Sequence, residues 1–99
     1  MATSRSRSLH DQLDADENLF LTNQNGELLE DVRALRRMIN EAWYNTYKGF
    51  FIVFHQGKMI AIDQSSLLAL RKGVQLAGTG NVYMVYIDPR FVNAYGDRS

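Results

Sequence analysis

Three short runs in this sequence are apolar at consecutive positions, and that limits its fold more than any other feature. They are Gly49-Phe50-Phe51-Ile52-Val53-Phe54-His55, Lys58-Met59-Ile60-Ala61-Ile62-Asp63 and Val82-Tyr83-Met84-Val85-Tyr86-Ile87. All are rich in β-branched and aromatic residues and too short for helices. Read as strands, they put large side chains on both faces. The first offers Phe50, Ile52 and Phe54 on one side and Phe51 and Val53 on the other. The third sets Val82, Met84 and Tyr86 against Tyr83, Val85 and Ile87. A sheet with one wet face alternates apolar and polar residues instead. Both faces of this sheet therefore need cover.

Gln56-Gly57 separates the first two runs and predicts a tight hairpin. A two-residue turn pairs His55 with Lys58, Val53 with Ile60 and Phe51 with Ile62, and on the other face Phe54 with Met59 and Ile52 with Ala61. A helix is predicted over about 65–77, with Asp63, Ser65 or Ser66 as its N-cap, Leu67, Leu70, Val74 and Ala77 as its buried stripe and Gly78 as its stop. Pro89 closes the third strand, since proline cannot donate to a ladder. The crossover helix returns the chain so that strand three runs parallel to strand two. With the most apolar strand central, the order is 2-1-3. The expected class is α+β, a three-stranded sheet preceded by a long amphipathic helix.

That preceding helix is predicted from about Glu27 to Thr46. Leu28, Val32, Leu35, Ile39 and Ala42 recur at helical spacing, with Leu29, Met38 and Trp43 widening the stripe. Asn25 is its expected N-cap. Leu19-Phe20-Leu21 reads as a short strand or an extended anchor. Residues 1–17 are polar, with only Leu9 and Leu13 large and apolar, and read as a tail that is disordered or held by a partner. Residues 18–92 make one α+β domain. Residues 93–99 form a polar C-terminal tail, and Phe91, Val92 and Tyr95 are expected to pin the chain end to the body.

The stretch Tyr47-Lys48-Gly49, the Gly57-Lys58-Met59-Ile60-Ala61 turn region, the leucine- and alanine-rich helix and the final strand ending in Pro89 carry a likeness. Over Tyr47 to Pro89 the chain resembles a short, uncharacterised bacterial domain of unknown function. The resemblance implies a hairpin–helix–strand core and no assigned activity. Phe50 departs from it, standing where a polar residue is usual, and the helix over 27–46 and the leading tail are additions to it.

Eleven basic residues balance eleven acidic ones, and there is no cysteine. A neutral chain lacks the basic excess of a general nucleic-acid binder, and near-zero net charge favours association. Without cysteine there is no disulfide, thiol nucleophile or cysteine metal site, which fits a reducing, cytoplasmic setting. The first residues lack the apolar core of a secretory signal. No apolar run is long enough to span a bilayer, so no membrane partner is expected.

Catalytic groups do not assemble in the sequence. His10 and His55 lie in separate segments and are not read as metal ligands or as an acid–base pair. Ser65-Ser66 lacks a nucleophile elbow and reads as a helix cap. Gly78-Thr79-Gly80 leaves a helix and enters a strand, the wrong polarity for a phosphate cradle. No catalytic residue, metal or cofactor is expected, and the chain is read as a non-enzyme. Arg33, Arg36 and Arg37 form the sharpest basic cluster. They are read as a solvated helix face with Arg33 opposite Glu30 and Arg37 opposite Glu41, or alternatively as an anion-binding patch.

The function read from these features is a non-catalytic protein-interaction or assembly subunit. The partner is protein, either a second copy in a homo-oligomer or a larger assembly. One sheet face is expected to stay open to it while both helices share the other, with Phe50, Phe54, Trp43, Tyr83 and Tyr86 as anchors. The competing reading is that the 27–46 helix covers that open face within the protomer. The alternative is a small regulator that binds nucleic acid or an acidic partner through Arg33, Arg36 and Arg37.

Overall fold

The hairpin forms at Gln56-Gly57, where both residues take positive φ, 52° and 78°. This is the type I′ geometry whose twist matches the flanking strands. The computed structural model describes residues 8–91. Along them run helices α1 (Leu9–Thr22), α2 (Gly26–Met38) and α3 (Glu41–Tyr47), strands β1 (Phe51–His55) and β2 (Lys58–Asp63), helix α4 (Ser66–Ala77) and strand β3 (Tyr83–Tyr86). The sheet has the expected order β2-β1-β3, with both outer strands antiparallel to β1.

The hairpin register departs from the expected one beyond the second pair. His55 faces Lys58 and Phe54 faces Met59, but Val53 then faces Ala61, Ile52 faces Ile62 and Phe51 faces Asp63. Ile60 is the extra residue of a β-bulge, which lets one strand hold two residues opposite one. Ile60 and Ala61 both pack against the cluster of Val53, Ala69 and Val82.

Helices cover both sheet faces, which overturns the expectation of an open one. Ile52, Phe54, Tyr83, Val85 and Ile87 lie under Leu9 and Leu13 of α1, Val32 and Leu35 of α2, and Tyr44 of α3. On the other face Val53 and Val82 lie under α4. The molecule is thus a three-layer helix–sheet–helix sandwich.

Residues 8–17, expected to belong to a tail, begin α1. Ser8 and Asp11 form a reciprocal capping box: Asp11 N–H donates to Ser8 Oγ at 3.2 Å, and Ser8 N–H to Asp11 Oδ2 at 3.1 Å. Leu9 and Leu13, one turn apart, are fully buried, each contributing about 1.5–3 kcal/mol. Leu19-Phe20-Leu21 continues this helix and is not a strand. Residues 1–7 and 92–99 lie outside the described residues, and with them Val92, Tyr95 and the tail over 93–99. Phe91 does pack against the core.

The single helix expected over 27–46 is two. Ile39 is extended, and the Asn40 side chain accepts the Trp43 N–H at 2.8 Å, starting a new helix. Asn25 caps α2 as predicted, accepting from Leu28 N–H at 3.2 Å.

The facing of α4 is the largest correction. Ser65 caps it, and Gly78 ends it at φ 75°, as expected. Its buried positions, however, are Ala69 and Gly73, with Val74 and Ala77 beside them. Leu67 and Leu70, predicted to be buried, are exposed. A Cβ built on Gly73 would sit 2.4 Å from Val53 Cγ1 and 2.9 Å from Val53 Cβ. The backbone of α4 therefore lies on the sheet with no room for a larger side chain.

Gly73→Ala is accordingly expected to destabilise the protein in urea unfolding. Overpacking costs about 1–3 kcal/mol, which exceeds the ~1 kcal/mol of helix propensity that alanine restores. Adding Val53→Ala makes space, so the double variant should show positive coupling in a double-mutant cycle.

Candidate interaction site

Each expected anchor has a definite place in the fold. Phe54 and Tyr83 are 0% and 3% exposed and belong to the core, so neither can anchor a partner. Trp43 is half-buried and lies against Tyr47, with ring centroids 4.8 Å apart. Phe50 is half-buried beside the last β1–β3 contacts, where its carbonyl accepts the Ile87 N–H at 3.0 Å. Only Tyr86 among the five is exposed, at 37%. Its ring stacks on Phe51 at 4.5 Å on the α4 side of the sheet.

The arginine cluster is occupied by internal partners. Arg33 Nε meets Glu17 Oε2 at 3.3 Å, and Arg36 Nη2 meets Glu17 Oε1 at 2.8 Å and Asp14 Oδ1 at 3.1 Å. Arg37 pairs with Glu30 at 3.4 Å. These partners differ from the expected pairing of Arg33 with Glu30 and of Arg37 with Glu41. Arg33 and Arg36 tie α2 to α1, so their charge is largely met within the protein. Among the described residues, no three His, Cys, Asp or Glu side chains come close enough to hold a metal ion. No helix among them is long and apolar enough to cross a membrane.

Two surfaces remain open among the described residues. The first is a groove of about 890 Å³ between α1 and the free edge of β3, lined by Gln12, Asp16, Phe20, Tyr83, Tyr86 and Phe91 among others. Ile87 donates toward β1, so two-residue alternation turns the Met84 and Tyr86 backbone groups away from it, along the open edge. At the groove wall the Tyr83 hydroxyl donates to Asp16 Oδ2 at 2.6 Å, and Gln12 donates to Asp16 Oδ1 at 3.0 Å. Burial, then the Asp16 charge, pushes the Tyr83 hydroxyl well above the usual tyrosine range. It serves as a fixed donor at neutral pH.

The second surface is the outer side of α4. Leu67, Leu68, Leu70 and Leu76 are 62%, 44%, 38% and 69% exposed. Leu68, Lys72 and Leu76 are four residues apart and form one row. Lys72 reaches Asp63 Oδ2 on β2 at 2.9 Å, which puts this row on the β2 side of the helix. The hydrogen bond from Lys72, followed by that from the Ser65 N–H, holds the Asp63 carboxyl below its ordinary range. Leu67 and Leu70 lie on the opposite flank. Reasoning from the sequence missed this surface by taking leucine as the inward residue. The signal was Ala69, Gly73 and Ala77 at four-residue spacing, a stripe of small residues able to approach a sheet closely.

The chain matches no family model, no curated protein and no solved structure in these comparisons. The likeness of Tyr47 to Pro89 to a short bacterial domain accordingly stands as a proposal from its own residues.

One buried charge links the helices to the hairpin. Asp31 of α2 is 1% exposed, and its Oδ1 accepts the N–H of Gly57 in the turn at 2.7 Å, while Oδ2 has no partner. Burial raises the Asp31 carboxyl above its ordinary range, with the Gly57 N–H and His55 pulling the other way. The folded state thus binds this proton more tightly than the unfolded chain. The contribution of Asp31 is most favourable below about pH 4 and is lost as pH rises through the raised folded value. Asp31→Asn keeps an acceptor for Gly57 and does not titrate. It should flatten the pH dependence of unfolding free energy above about pH 4. Asp31→Ala, which strands the Gly57 N–H, should fall below the Asn variant by about 1–3 kcal/mol. Urea melts across the pH range check both.

Proposed function

We propose that this chain is a non-catalytic protein-interaction subunit that joins a larger assembly through the outer face of α4. The observation that carries this reading is the inversion of that helix, with small residues against the sheet and four leucines in solvent. Fully burying a leucine is worth about 1.5–3 kcal/mol. About half of that stabilisation is not realised within the protomer, and a partner covering the face would supply it. Exposed apolar residues gathered on one element mark interaction surfaces more reliably than scattered ones. Formal neutrality adds little repulsion against association. A cytoplasmic setting, suggested by the absence of cysteine, belongs to the same proposal.

The alternative, nucleic-acid or acidic-partner binding through Arg33, Arg36 and Arg37, has weaker support. Two of the three arginines are held by Asp14 and Glu17 of α1. A phosphate would have to displace them.

Leu68→Ser combined with Leu76→Ser tests the proposal without knowledge of the partner. The double variant should unfold in urea within about 0.5 kcal/mol of wild type, as exposed substitutions do. It should also bind less of an apolar dye such as bis-ANS. If copies associate through this face, light scattering should show the mass falling to that of the protomer. A loss of stability beyond about 2 kcal/mol would make these leucines part of the core and remove the proposed surface.

A further inference from the structure

We infer that the outer face of α4 receives an amphipathic helix of another protein that carries carboxylates beside its apolar stripe. The inference rests on the proposed function and adds the chemistry of the partner. From Gln64 to Ile87 the sequence contains no Asp or Glu, and its only charges are Arg71 and Lys72 of α4. Both lie among the leucines. Arg71 follows Leu67 by four residues and Leu68 by three, while Lys72 stands between Leu68 and Leu76 in their row. Lys72 is half-occupied by Asp63, but Arg71 is exposed and has no ion-pair partner among the described residues. Asp63, at the edge of this surface, is taken up by Lys72, so the charge left open among the leucines is the Arg71 cation, which charge complementarity matches to an acidic partner.

The shape agrees with a helix. Leu68 and Leu76 are two turns apart, about 12 Å along the axis, and helices dock apolar anchors at that spacing into a neighbour's grooves. A second copy placed α4 against α4 is disfavoured. Two-fold symmetry opposes the same patch to itself, which brings Arg71 and Lys72 toward their own equivalents. An anionic membrane is disfavoured as well, because two cations, one already paired, fall short of the polybasic cluster that stable attachment needs.

Three synthetic helical peptides test this, sharing leucines at i, i+3, i+4 and i+7 and flanked by Glu, Gln or Lys. Their binding to the full chain is read by fluorescence anisotropy. The Glu peptide should bind about threefold more tightly than the Gln peptide, as one added exposed ion pair to Arg71 allows, and the Lys peptide should bind weakest. The Glu advantage should shrink as salt rises. Arg71→Glu should reverse the order of the Glu and Lys peptides, and Leu68→Ser should weaken all three. Equal binding of the three would overturn the acidic partner while leaving the leucine face as an interaction surface. Binding of none of them at millimolar concentration would overturn both. Arg71-dependent binding to phosphatidylserine vesicles with no peptide binding would assign the face to a lipid surface instead.

Discussion

The contact between Gly73 and Val53 decides how the rest of this molecule is arranged. With no side chain at residue 73, the backbone of α4 rests directly on the central strand. Ala69 and Ala77 continue the close approach, one turn to either side. A helix held at that distance cannot turn leucines inward, because nothing the size of an isobutyl group fits between it and the sheet. The leucines of α4 are therefore outside for a steric reason, and the composition of the whole surface follows from one hydrogen atom in place of a methyl group.

The opposite layer is built on a different logic. There the large side chains point inward: Leu9 and Leu13 from α1, Val32 and Leu35 from α2, and Phe54 and Tyr83 from the sheet. Polar ties then fix the register of the pieces. Asp31 holds the hairpin turn, Arg36 bridges to Asp14 and Glu17, and Tyr83 anchors to Asp16. The Arg36 ion pairs, partly open to solvent, add little stability individually. Their effect here is to place α1 over α2 and to meet the Arg36 charge within the protein.

Much of the fold was legible from local signals. The hairpin turn, the sheet order, the Asn25 and Ser65 caps and the Gly78 stop each rest on short-range chemistry that one residue type performs well. Where the reading failed, the deciding fact was either a cap in an unlooked-for place or a tertiary contact. Asn40 broke a helix whose apolar period ran straight through it. Ser8 and Asp11 started a helix in a segment too polar to suggest one, and Leu9, Leu13 and Phe20 tie it to the core. The bulge at Ile60 shifted a register that the turn alone would have set. The interaction surface was the least legible part. Hydrophobicity predicts burial on average, whereas the inward face of α4 was chosen by volume. Tyr83 and Phe54 were misplaced for the related reason that aromatics serve cores and interfaces alike.

The bulge at Ile60 has one more effect. It disrupts the ladder in β2, and charged residues, Lys58 and Asp63, stand at the two ends of that strand. Such a border is a poor template for another chain. The far border, Tyr83-Met84-Val85-Tyr86, is uncharged and regular. The sheet is consequently polar in its capacity for growth: a strand arriving from outside is rejected on one flank and accommodated on the other, so any extension of this sheet has a direction written into it.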